Sequence, residues 1–135
     1  QEAFDTVCAE LDRHLESPLQ EIVFAKGKKA AAKLEDTTYA QPALFAIEVA
    51  LHEALAKKGL KPDLLTGHSI GEIAAAHISG VLDLADAIIT VRSLIRRAWI
   101  THRWDTQPAR RRRSTHQSAR PLIRQPHSVI KVGVS

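Results

Sequence analysis

Five consecutive residues, Gly67-His68-Ser69-Ile70-Gly71, have the types and the spacing that turn a serine hydroxyl into a nucleophile. They sit at the end of a short apolar run from Lys61 to Gly67 and lead into an alanine-rich stretch from Ile70 to His77. Gly-x-Ser-x-Gly between a strand and a helix is a nucleophile elbow. The sharp turn forces the serine into a strained backbone conformation that projects Oγ into a cleft, and the flanking glycines let the chain pass closely. The backbone N–H of the following residue, Ile70, points into the same space and can donate to the oxyanion of a tetrahedral intermediate. The positive N-terminal pole of the next helix adds to that field. A plainer reading stands beside this one: Ser69-x-x-Glu72 also spells a capping box, in which the serine merely starts a helix.

A serine nucleophile needs a general base. His68 is adjacent, but neighbouring side chains in a tight turn diverge. His77 lies eight residues on, about 12 Å along a helix. His14 and His52 belong to other helical segments. None is placed as a base, so the site is expected to be incomplete. No metal-ligand set is expected.

The elements that must hold the elbow are legible as patterns. Residues 1–15 read as an amphipathic helix ending near His14, with Phe4, Val7, Cys8 and Leu11 on one face. Cys8 is therefore read as a packed core thiol. Ser17-Pro18 reads as an N-cap followed by a first-turn proline, with Gln20 or Glu21 as capping partner, opening a short helix from Leu19 to Ala25. Residues 26–40 are polar and lysine-rich, a solvated connection or weak helix. Gln41-Pro42 is expected to open a helix that is apolar around most of its circumference and ends at Lys57-Lys58-Gly59. Lys61-Pro62-Asp63-Leu64-Leu65-Thr66-Gly67 has the length of a short buried strand, Ile70 to His77 reads as a helix ending at Ser79-Gly80, and a last helix is expected from Asp83 or Leu84 to about Arg92. Helix, strand, sharp turn and helix are the rhythm of a parallel α/β layer.

Charge divides the 135-residue chain. Its net charge of +4 combines a net −5 over residues 1–95 with +9 over residues 96–135. Residues 96–128 hold nine arginines, including the run Arg110 to Arg113, and no periodicity survives there. No apolar stretch approaches the roughly 20 residues that span a bilayer, and no signal peptide pattern opens the chain. A single cysteine forms no internal disulfide, which suits a reducing cytoplasm.

Three ordered blocks then point to a family. They are Thr38-Tyr39-Ala40-Gln41-Pro42-Ala43-Leu44-Phe45-Ala46-Ile47-Glu48-Val49-Ala50-Leu51, then Pro62 through His77 around the elbow, then Gly80-Val81-Leu82-Asp83-Leu84-Ala85-Asp86-Ala87. Together with Ala3 to Asp12 they resemble the acyltransferase domain of a modular type I polyketide synthase, over roughly residues 1–91. The resemblance implies an α/β fold, in part the α/β-hydrolase-like large subdomain of that domain. It implies transfer of a short carboxyacyl group from coenzyme A, through an acyl-Ser69 enzyme, to the phosphopantetheine thiol of an acyl carrier protein. Ser69 matches the nucleophile, the Ile70 N–H an oxyanion donor, Gln41 a glutamine lining the active site, and His68 the histidine beside the nucleophile, structural or pocket-lining. Ile70 after the serine and the wording from Ala40 to Ala46 resemble malonyl-selective members. No bound cofactor is implied; the partners are malonyl-CoA or a related acyl-CoA, the carrier protein and neighbouring synthase domains. A membrane or nucleic-acid partner is not expected.

The sequence also departs from that pattern. The Gly-Gln-Gly loop that supplies a second oxyanion donor would precede Gln1. The catalytic histidine, the ferredoxin-like small subdomain and the selectivity segment would follow the last helix, so a domain truncated at both ends and weakly active or inactive alone is expected. Family spacing places the arginine that pairs with the extender carboxylate at position 94, where this chain has Leu94. Residues 1–95 are thus read as a partial acyltransferase domain with exposed apolar helix faces. Residues 96–135 are read as a basic tail, disordered or derived from a shifted reading frame. The competing functions are a serine esterase or thioesterase of α/β type and a non-catalytic fragment that binds nucleic acid through its arginines.

Overall fold

The computed structural model describes residues 1–105 and 132–133. Six helices and two short strands follow in the order α1 (Glu2–Asp12), α2 (Leu19–Phe24), α3 (Lys28–Glu35), α4 (Thr37–Ala56), β1 (Leu64–Leu65), α5 (Ile70–Ile78), α6 (Leu84–Asp105) and β2 (Val132–Gly133). The run Arg110–Arg113, on which the nucleic-acid alternative rests, lies outside the described residues.

Helix α1 forms where the apolar spacing requires it, and its buried residues are Phe4, Val7, Cys8 and Leu11. The entry to α2 differs from the expected serine cap. Pro18 occupies the cap position without a side-chain bond. The orphan N–H of Leu19 is instead satisfied by Asp12 Oδ1 at 2.7 Å, and Gln20 Nε2 donates to Asp5 Oδ1 at 2.9 Å. Asp12 of α1 thus does the work expected of Ser17, and Gln20, one of the two expected capping partners, bonds α1 instead, which fastens the two helices together. The polar stretch after Gly27 contains a true helix, α3.

Helix α4 also starts earlier than Gln41. Asp36 Oδ1 accepts from the Thr38 N–H at 2.8 Å, so the aspartate is the cap and Pro42 lies inside the helix. The proline removes one intrahelical hydrogen bond, and full burial of its ring in the core offsets part of that loss. The helix ends as its lysines and glycine suggest: Lys57 caps it, Gly59 adopts φ 83°, and the Leu60 N–H returns to the Leu55 carbonyl at 3.1 Å.

The core lies where α1, α4, α5 and α6 meet. Phe45, Leu19, Val91, Pro42 and Cys8 are its largest fully buried side chains. Helix α4 packs against every other helix. Its opposite side carries Leu44, Ile47, Leu51 and Leu55, spaced three and four residues apart and between 39% and 57% exposed. The apolar breadth of this helix points to burial on more than one side, whereas among the described residues this side is exposed.

The sheet differs from that expectation. Strand β1 pairs with β2 in antiparallel register, Leu64 opposite Gly133 and Leu65 opposite Val132, and this pair is the whole sheet among the described residues. A parallel layer needs a further strand reached by a crossover, and no such strand occurs among the described residues. Helix α6 is also longer than expected and runs on to Asp105. Leu94 and Ile95 still pack against the core after Arg92, and the arginines, Leu94 and Ala98 are good helix formers. No helix of the described residues is long and apolar enough to cross a membrane.

Cys8 is 1% exposed, and burial, reinforced by Asp12 and Asp5, pushes its thiol up to about 12 from an ordinary 9.0. The folded state therefore holds this proton more tightly than the unfolded state. The resulting stability is fully present below pH 9 and is lost as pH rises toward 12, by up to about 1.4 kcal/mol per unit. Denaturant titrations between pH 8 and pH 11 should show a stability loss whose slope above pH 9 is reduced in Cys8→Ala; equal slopes would mean that the thiol ionises without unfolding the core.

Candidate active site

Ser69 is the N-cap of α5 and the only residue other than glycine with positive φ among the described residues, at φ 55° and ψ −117°. An ordinary N-cap serine sits in the β region and accepts a hydrogen bond from the helix. Ser69 does neither: its side chain makes no capping bond. The capping-box alternative is therefore not what the structure contains. The hydroxyl is exposed, at the start of a helix whose first-turn N–H groups point the same way. A non-glycine residue in this region stores on the order of 1–3 kcal/mol, which the surroundings must supply.

Those surroundings are specific. The turn is closed by Gly71 N–H to His68 O and Glu72 N–H to Ser69 O, each at 3.0 Å. A β-carbon on Gly67 would collide with the backbone carbonyl group of Gly71 and the nitrogen of Glu72, so the strand can meet the helix only through glycine. Gly71 differs: a β-carbon there would meet Glu48 Oε1 at 3.8 Å, an ordinary contact. The Ile70 side chain is buried and anchors the start of α5 in the core, leaving its N–H beside Ser69. Ala74, Ala75 and Ala76 are buried behind it, small enough for α5 to lie close on α4.

Of the remaining sequence candidates, His68 is exposed in the elbow itself. Gln41 lies on α4, half-buried, and its Oε1 is a buried acceptor without a partner. His77 is at the far end of α5, where its Nδ1 donates to the Leu82 carbonyl at 3.1 Å and its ring centroid lies 6.0 Å from that of Phe45. It locks the α5–α6 turn and is not presented to Ser69 by this geometry. Leu94 packs against the core. Among the described residues no group of His, Cys, Asp and Glu side chains is arranged to hold a metal ion.

Sequence reasoning missed Glu48. This residue is seven positions after Gln41, two turns along the same face of α4. Its carboxyl contacts the Gly71 position from below, its Oε2 is buried without a partner, and burial raises its pKa above the usual carboxylate value. The signal was present: Glu48 is the only acidic residue in an otherwise apolar run from Pro42 to Leu51.

A strained, exposed serine on a strand-to-helix turn, at the N-terminal end of α5, has the backbone geometry of a nucleophile elbow. The comparisons narrow that class. The profile of the acyl transferase domain family matches residues 1–133, and the chain belongs to that family. It is 56% identical over 90 residues to the phenolphthiocerol synthesis polyketide synthase type I Pks15/1 of Mycobacterium marinum, covering 67% of this chain and 4% of that protein. It is 51% identical over 90 residues to mycoketide-CoA synthase of Mycobacterium tuberculosis, covering 67% of this chain and 2% of that protein. It is 53% identical over 91 residues to polyketide synthase GfsA of Streptomyces halstedii, covering 67% of this chain and 1% of that protein. The chain thus spans no more than 4% of the length of these relatives. No solved structure matches it.

The two elbow glycines give opposite expectations. Gly67→Ala should cost about 3 kcal/mol through overpacking. Gly71→Ala should stay within about 1 kcal/mol of the parent, on the stabilising side, because a helical glycine gives way to alanine with only an ordinary contact to Glu48. Thermal denaturation of both variants checks this; equal damage at the two positions would mean that the Glu48 carboxyl closes on Gly71 more tightly than its separation implies.

Proposed function

We propose that Ser69 is the acyl-accepting nucleophile of a polyketide synthase acyltransferase domain. It takes an acyl group, malonyl by the wording around Gln41 and Ile70, from coenzyme A and passes it to the phosphopantetheine thiol of a carrier protein. The observation that carries the reading is the backbone of Ser69, held at positive φ with its side chain free of any cap. Attack by Oγ on the thioester carbonyl forms a tetrahedral oxyanion. The Ile70 N–H and the α5 pole stabilise it, and its collapse expels the thiolate of coenzyme A to leave an ester on Ser69. The carrier thiol then attacks that ester and regenerates the hydroxyl.

Gln41 and His68 are assigned to the substrate side of the site, Gln41 through its partnerless amide oxygen. The large-subdomain fold, residues 1–95 as the domain part and residues 96–135 as a basic tail belong to the same proposal. No described histidine is bonded to Ser69, so proton removal, which a positioned base accelerates by about 10²–10⁴-fold, is the step this chain supplies least.

Two reagents separate geometry from base catalysis. An activated fluorophosphonate, which needs only a projecting hydroxyl and an oxyanion site, should label the chain, and Ser69→Ala should abolish the labelling. Malonyl-CoA should give at most slow acylation by intact mass, again lost in Ser69→Ala. Labelling that persists in Ser69→Ala, or none at all from a folded chain, would overturn the assignment of Ser69.

A further inference from the structure

A second concave site lies between α1, α4 and α6, and no residue of the elbow lines it. Its volume is about 230 Å³. That exceeds the roughly 150 Å³ cavity that accepts benzene and falls below the roughly 300 Å³ at which drug-sized pockets begin. The floor is apolar, with Leu11, Leu15, Pro42 and Ile88 drawn from all three helices. The rim is basic. His14 enters from the end of α1, while Arg92 and Arg96, one turn apart, enter from the same side of α6. No acidic side chain lines the cleft. Among the described residues neither arginine forms a salt bridge.

Two exposed guanidinium groups one turn apart repel each other weakly, an anion between them relieves that repulsion, and each presents a planar fork that suits a phosphate or carboxylate. Water and chloride can satisfy the charges but leave the apolar floor wet. The combination therefore selects a ligand with two parts. We propose that this cleft binds a small organic anion, an apolar body about the size of one ring carrying a single phosphate or carboxylate head. The body covers the Leu11, Leu15 and Ile88 floor, and the head bridges Arg92 and Arg96 with His14 as a further donor. The site is independent of the role given to Ser69.

The test uses the full isotopically labelled chain and phenyl phosphate, followed by the amide signals of Leu15 and Ile88. Those signals separate the cleft from the basic residues after position 105. Saturable shifts at both residues are expected, weakened at least about tenfold in the exposed double variant Arg92→Gln/Arg96→Gln, which removes the charge-assisted bonds, and weakened by added salt. Benzoate in place of phenyl phosphate ranks the two head groups, and saturable binding by either supports the proposal. Benzyl alcohol binding as tightly as the anions would overturn the role of the arginines. Inorganic phosphate binding as tightly as phenyl phosphate would overturn the role of the floor. No saturable shift with any anion would overturn the site as a whole.

Discussion

The absence of a β-carbon at Gly67 is the constraint on which the rest of this structure turns. The strand end and the first turn of α5 approach so closely there that only glycine lets the backbones pass. In the turn between them, Ser69 lies in a region that side-chain-bearing residues avoid. The strain is local, but what supports it is not. The buried Ile70, the alanine face of α5 and the clasp from His77 to Leu82 hold both ends of the helix while the serine at its start remains bent.

Helix α4 supplies that support unevenly. One side is the centre of the core, and another bears an exposed apolar row from Leu44 to Leu55. Between them lie two polar atoms, Gln41 Oε1 and Glu48 Oε2, buried and unbonded. Each lost bond costs about 1–3 kcal/mol. Burial raises the pKa of Glu48, because desolvation penalises its charged form. Of the two, Glu48 lies against the elbow, at Gly71, and a helix assembled for packing alone would carry an apolar side chain there. Stability is thus given up where α4 meets the turn that bears the strained serine.

Much of this was legible in the sequence because local patterns decided it. The apolar spacing of Phe4, Val7, Cys8 and Leu11 gave α1 its buried face, and Gly-His-Ser-Ile-Gly placed the bend at Ser69. The sequence reading failed where a long-range partner replaced a local one. Asp12 caps α2 from another helix, so the Ser17-Pro18 signal misled. Asp36 outcompeted Gln41-Pro42 as the start of α4 because an aspartate cap bonds directly to the free N–H of Thr38, whereas proline merely tolerates a first turn. Strand pairing cannot be read from two leucines, which fit either orientation, and β1 met its partner almost seventy residues away. Glu48 was passed over because a charge in an apolar helix looks like a lone solvated residue until the glycine opposite it is known.

Helix α6 shows where pattern and energy part. The sequence loses its period after Arg92, and the expected boundary at residues 95 and 96 falls within the helix. The helix nevertheless continues, because ending it requires a breaker or a competing cap, and none occurs between Leu84 and Asp105. Loss of an apolar face removes the reason for a helix to dock, not the reason for it to propagate, since each added residue gains a backbone bond once the nucleus is in place. The same arginines that erase the amphipathic pattern are good helix formers. Arg92 and Arg96, still within the docked part of α6, bring positive charge to a cleft floored with core residues of α1 and α4. The charge division of the sequence thus begins inside the packed domain rather than after it, and its first consequence is a basic rim on an otherwise apolar hollow.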